Sequence, residues 1–145
     1  MNKETKKPKI SPEDYKKILQ GLELISISLK ESKTFINVDI TPPTELSIQI
    51  KDEASYKIKE EGIVFVFQKY NIDARKPQSK TRFIQLEVTF LVKVYSKEIF
   101  TEDFFDVYKN ISLHLNTWPY LREFVNQITS RMNVPPLTLP FYKTP

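Results

Sequence analysis

His114 is the single histidine among 145 residues, and there is no cysteine. Without thiols there are no disulfides, thiolate metal sites or cysteine nucleophiles, and one imidazole does not make a histidine metal site within a chain. Carboxylates occur in pairs at Asp52-Glu53, Glu60-Glu61 and Glu102-Asp103. The first two fall at expected strand ends and read as solvated turn charges rather than an acid/base pair. The third follows Thr101, where negative charge suits a helix N-terminus. The two glycines, Gly21 and Gly62, are too few for a phosphate-cradling loop or a dinucleotide fingerprint. No catalytic constellation, metal or cofactor is expected, and the chain reads as a binding protein rather than an enzyme.

Two kinds of binding are open. Ten Phe, seven Tyr and one Trp make up 12% of the residues. Aromatics interleaved with basic residues on a sheet would suit single-stranded nucleic acid. Phe67-Gln68-Lys69-Tyr70 and Lys80-Thr81-Arg82-Phe83 are partial matches, although core packing explains them equally well. The net charge of +4 adds little, because +3 of it falls in the first nine residues and the remaining 136 carry +1. The alternative is an apolar surface for other polypeptides. The stretches 35 to 43 and 134 to 142 hold more apolar residues than a chain of this length can easily hide, which points to an oligomer interface or a binding groove.

The elements that must position these residues follow from periodicity. Residues 1–10 lack a pattern and read as a disordered basic tail, with one domain over 11–145. Ser11-Pro12-Glu13-Asp14 starts a short helix that ends near Gly21. Residues 22 to 31 are a strand candidate whose apolar set changes phase, as at a bulge. Residues 32 to 43 read as an extended crossover, ended as regular structure by Pro42-Pro43. Leu46, Ile48, Ile50, Ala54, Tyr56 and Ile58 alternate, as do Ile84, Leu86, Val88, Phe90, Val92 and Val94, while 63 to 72 is a continuous apolar run. These make an antiparallel sheet that needs a cover on one face. The cover is a helix capped by Thr101 and carrying Phe104, Val107, Tyr108, Ile111 and Leu115, then a second stripe of Leu121, Phe124, Val125, Ile128 and Met132. Trp118-Pro119 is expected to break the two apart. The proline-rich end, VPPLTLPFYKTP, should pack back on the body. The fold class is α+β. No apolar run is long enough to span a bilayer, and no secretory signal is seen, so a cytoplasmic location is expected.

The C-terminal third carries a resemblance. Asn116-Thr117-Trp118-Pro119-Tyr120-Leu121-Arg122-Glu123, then Ile128-Thr129-Ser130-Arg131, then Pro135-Pro136-Leu137-Thr138-Leu139-Pro140 resembles the C-terminal signature of SecB-like chaperones. That signature is an aromatic-Pro-Tyr-x-Arg-Glu helix start, a Ser-Arg pair near the helix end and a Pro-x-Leu-x-Leu-x-Pro segment. The resemblance spans roughly Tyr15 to Phe141.

It implies a four-stranded antiparallel sheet with C-terminal helices, assembled as a dimer of dimers. It also implies an ATP-independent chaperone that holds unfolded or precursor polypeptides for export in apolar grooves built partly from the crossover. On that basis Phe35, Ile36, Val38, Ile40, Pro42 and Pro43 are expected client-binding residues in the crossover, with Trp118 and Tyr120 at the helix start. Leu121, Phe124, Val125 and Ile128 are expected at the homotetramer interface. For each client residue, monomer core or subunit interface is the competing reading. Export members of the family carry an acidic C-terminal tail that contacts the ATPase SecA; none is seen here, which puts that partner in doubt. A divergent member protecting an antitoxin of a toxin–antitoxin system is the second expectation, and a single-stranded nucleic-acid module the third.

Overall fold

The computed structural model describes residues 9–140 and 142. Most of the expected basic tail therefore lies outside the described residues; at its end, Ile10 already packs against the core. Ser11 begins α1 (Pro12–Gln20), its side chain accepting the Asp14 N–H at 3.1 Å while Pro12 takes the first helical position.

Four strands follow: β1 (Leu22–Ile36), β2 (Ser47–Glu60), β3 (Ile63–Arg75) and β4 (Arg82–Ser96). They form one antiparallel sheet in the order β1-β4-β3-β2. The phase change in β1 is two register shifts against β4, between Leu24 and Ser26 and between Leu29 and Glu31. Each inserts one residue and re-aims the side chains beyond it. The strand runs further than its sequence pattern implies. Phe35 and Ile36 pair with Gln85 and Ile84, so they are ladder residues and the crossover is 37 to 46. The second bulge returns Thr34 and Ile36 to the inner face opposite Leu86 and Ile84, an alternation the sequence masks.

One face of the sheet is covered. Val64, Val66, Tyr70, Ile72 and Ala74 of β3 and Ile84, Leu86, Val88, Phe90, Val92 and Val94 of β4 are all buried there. Each such side chain contributes about 1.5–3 kcal/mol for a large apolar group. The cover is α2 (Glu102–Tyr108) and α3 (Ser112–Arg131). Thr101 caps α2 by accepting the Phe104 N–H at 3.1 Å. The helical break comes at residues 109–111, not at Trp118-Pro119. Asn110 donates its side-chain N–H to the Asp106 carbonyl at 2.9 Å, ending α2. Pro119 lies inside α3 on its exposed side, above exposed Leu115, so the carbonyl its missing N–H releases faces water.

A polar seam divides the core into two apolar clusters. Gln68 is fully buried and donates to the Glu53 and Lys69 carbonyls at 3.3 and 3.1 Å. Tyr70 Oη and Thr117 Oγ1 are 2.7 Å apart, and Thr117 also donates to the Leu113 carbonyl at 2.8 Å. Burial pushes the Tyr70 phenol well above its usual range, with the Thr117 hydrogen bond opposing the shift. His114 sits in the first turn of α3, its Nε2 3.2 Å from Asp52 Oδ2 but off the line of an N–H···O hydrogen bond. Asp52-Glu53 is therefore a mid-strand pair, not a turn. Asp52 occupies the gap that the even-numbered apolar set leaves between Ile50 and Ala54.

Candidate functional site

Asn37 starts the site by taking the chain off the sheet. Its N–H bonds the Phe83 carbonyl at 2.8 Å, and its side-chain oxygen accepts the Asp39 N–H at 3.0 Å, a local turn that Asn favours. Val38, at the tip of this turn, is 84% exposed. Ile40 folds back onto the core beside Ile36 and Leu46. Pro42 and Pro43 then keep the chain out of regular structure, and it bends at Thr44 and Glu45 before β2 begins.

The opposite wall is the C-terminal segment. Asn133 at the end of α3 has φ 58°, a left-handed residue that reverses the chain. The segment then runs back along the helix, with Leu137 and Leu139 turned inward and buried and Thr138 and Pro140 outward. Such a strand-like segment without a ladder would ordinarily strand its backbone groups. Here Pro135, Pro136 and Pro140 have no N–H to satisfy. The Leu137 N–H bonds Thr129 Oγ1 at 2.8 Å. The Leu139 carbonyl accepts from Arg122 Nε at 2.9 Å, and the Pro140 carbonyl accepts from the Trp118 indole at 2.8 Å.

Between these walls lies an apolar groove of about 290 Å3. Pro42, Pro43, Leu46 and Ile48 form one side and Val134, Pro135, Pro136 and Leu137 the other, over the buried ring of Phe83. No group of side chains capable of holding a metal ion occurs among the described residues. The groove lining is mainly apolar, which suits contact with apolar side chains.

The sequence-expected client residues do not stay together. Pro42 and Pro43 line the groove, Ile40 and Ile36 pack against the core beneath it, and Val38 projects beyond it. Phe35 is half exposed, and its pairing with Gln85 puts it on the opposite face of the sheet. Trp118 anchors the C-terminal segment, packing edge-on against Tyr70 at 5.9 Å and at a tilt against Tyr142 at 5.6 Å. Tyr120 is 45% exposed on another flank of α3, against Phe90. Leu121 and Val125 are fully buried within the monomer, so neither can face another subunit. Phe124 and Ile128 are half-buried and pack against the same core. Leu46, Ile48, Phe83 and Val134 were not singled out as site residues. Val134 carried a signal in the apolar excess of the proline-rich end, and Leu46 and Ile48 in the alternation of their strand, but neither pattern says what these residues lie against.

No protein-family model matches the chain, and no curated protein matches it. Among solved structures, the Mycobacterium tuberculosis SecB-like chaperone Rv1957, in complex with a ChAD peptide from the HigA1 antitoxin, superposes with a TM-score of 0.74 at 18% identity, over 86% of this chain and 93% of that one. The chain has the SecB-like fold. A protein of unknown function from Streptococcus agalactiae matches at a TM-score of 0.42 and 9% identity, over 83% of this chain and 97% of that one. Within the SecB-like fold, the motifs that carried the sequence resemblance have a mechanical role. Trp118 and Arg122 hold the carbonyls of the Pro-x-Leu-x-Leu-x-Pro segment, and that segment makes one wall of the groove.

Proposed function

We propose that this protein is an ATP-independent chaperone that holds unfolded polypeptide segments, with the groove between the crossover and the C-terminal segment as its client site. The observation that carries the reading is that groove: apolar, open to solvent and built on a SecB-like scaffold. A client burying apolar side chains there gains about 25 cal/mol per Å2. The site therefore favours apolar stretches, and several such sites on one assembly would act together through effective concentration. An assembly is supported by apolar residues that the monomer leaves half exposed, Leu24 and Leu29 on β1, Ile111 just before α3, and Leu115 and Tyr120 on α3. A homotetramer, as in SecB-like proteins, would cover them.

Two client classes fit. One is precursor polypeptides awaiting export. The other is a labile antitoxin, favoured by one specific observation: the neighbour Rv1957 holds an antitoxin peptide. No described helix is long and apolar enough to cross a membrane, and a cytoplasmic site of action is part of the proposal. The test is light scattering of an unfolded client diluted into buffer without nucleotide. Stoichiometric suppression of aggregation supports the holding function, and scattering unchanged by the protein refutes it. Capture from the native cytoplasm then separates precursors from an antitoxin.

A further inference from the structure

The face of the sheet opposite the helices has its own chemistry. Along β3 the residues facing away from the core are Ile63, Phe65, Phe67, Lys69, Asn71 and Asp73. In β4 their cross-strand partners are Tyr95, Lys93, Leu91, Thr89, Glu87 and Gln85. β3 and β4 are the two central strands, so Phe65, Phe67 and Tyr95 are an aromatic group on one face of the open four-stranded antiparallel sheet, toward its Gly62 end. Tyr95 is 41% exposed.

Cations gather on this cluster. Lys59 and Lys93 place their ammonium groups 5.2 and 5.1 Å from the centre of the same Phe65 ring. Lys30 lies 5.9 Å from the centre of Phe67, and Lys57 is the β2 partner of Phe65. Elsewhere on this face, some positive groups have carboxylate partners. Asp73 takes Arg75 Nε at 2.7 Å and Arg82 Nε at 2.9 Å, and Lys69 meets Glu53 at 3.8 Å. Among the described residues, by contrast, no carboxylate pairs with Lys57, Lys59 or Lys93. Two ammonium groups converging on one ring without a counter-ion repel each other, and a polyanion would relieve that repulsion.

We propose that this open face, at its Gly62 end, binds single-stranded nucleic acid, with bases stacking on Phe65 and Phe67 and phosphates meeting Lys57, Lys59 and Lys93. An acidic polypeptide would use the lysines but leave the rings without a role. Aromatics on the central strands of an open sheet, rimmed by cations, serve both halves of a nucleotide. A shallow depression of about 460 Å3 beside Phe67, reached by Lys30, Lys69 and Thr89 and with Glu53, the ion-pair partner of Lys69, on its rim, gives a base room to enter. The site lies on the opposite side of the sheet from the apolar groove and does not depend on the chaperone reading.

The test is fluorescence anisotropy of the full chain with a labelled oligouridylate of about twelve nucleotides, at salt concentrations from about 50 to about 200 mM. The expected result is saturable binding that weakens steeply with salt. The double variant Lys59→Gln/Lys93→Gln should lower the log–log salt slope by about 1.4. Phe67→Leu should weaken binding about tenfold and leave the slope unchanged. Melting curves confirm that both variants fold, and both should suppress client aggregation as before. Absence of saturable binding at the lowest salt overturns the proposal. So does a Phe67→Leu variant that binds at full strength, or an oligoglutamate peptide that competes as well as the RNA, which would assign the face to an acidic polypeptide.

Discussion

Thr129 joins α3 to the groove's C-terminal wall through the backbone of Leu137, alongside the Trp118 and Arg122 contacts further along the segment. It is fully buried, and its hydroxyl donates to the Val125 carbonyl at 2.8 Å while accepting the Leu137 N–H at 2.8 Å. Thr129→Val keeps the shape and removes the acceptor. The Leu137 N–H is then buried with no partner, a loss of about 1–3 kcal/mol. For a chain of this size that corresponds to a fall in Tm of about 2–12 °C. Thr138 lies one residue beyond Leu137 and is exposed, so Thr138→Val is the control and should change stability by less than about 0.5 kcal/mol. Urea denaturation gives the energies, and hydrogen exchange at the Leu137 amide reports the wall directly. Thr129→Val should raise that exchange rate more than it raises the rate for the β3–β4 ladder. Unchanged stability together with an unchanged Leu137 rate would refute the anchoring argument.

Three further outcomes follow from the same geometry. Leu139→Ala, at 1% exposure in the core, should cost about 2–5 kcal/mol, whereas Val38→Ser, at 84% exposure, should cost less than about 0.5 kcal/mol by urea denaturation. Hydrogen bonds from Arg75, and then the charge and hydrogen bond of Arg82, hold Asp73 below the usual carboxylate range. The stability this gives is present above the unfolded aspartate pKa of 3.8 and is lost as pH falls through the lower folded value; acid melting curves of Asp73→Asn should therefore lack that part of the decline. Leu29→Asp combined with Leu115→Asp should reduce the mass seen by light scattering from an oligomer toward a monomer, and an unchanged mass would place the interface elsewhere.

Legibility in the sequence tracked the regularity of the backbone. β4 was readable because its apolar residues alternate, β3 because it is a continuous apolar run bounded by Gly62 and a polar stretch, and α1 because Ser11 and Pro12 mark its start chemically. β1 was truncated because two inserted residues scramble its period, so Phe35 and Ile36 looked like loop. The helical break was misplaced because proline is a strong local signal. What decided the matter was Asn110 closing α2, together with the exposure of Pro119 on α3. The groove was half legible. Pro42 and Pro43 announced an irregular apolar wall, and the proline-rich end announced another. Their meeting over Phe83 depends on Asn133 turning the chain back and on Trp118, Arg122 and Thr129 catching it, which are contacts across 8 to 22 residues that no local pattern encodes. Leu121 and Val125 belonged to a true apolar stripe, but a stripe alone cannot distinguish a helix's own sheet from a partner subunit.

The most direct measurement compares two isoleucines of one strand. Ile48 lines the groove and is 40% exposed; Ile58 lies on the same face near the other end of β2 and is 55% exposed. Either can be replaced by Asp without opening a cavity in the core. Affinity for a labelled unfolded client is then titrated for both variants alongside the unmodified chain. Ile48→Asp should weaken binding by at least about tenfold, or 1.4 kcal/mol, while Ile58→Asp binds as the unmodified chain does. Equal losses in the two, or full-strength binding by Ile48→Asp, would contradict the assignment of the groove as the client site.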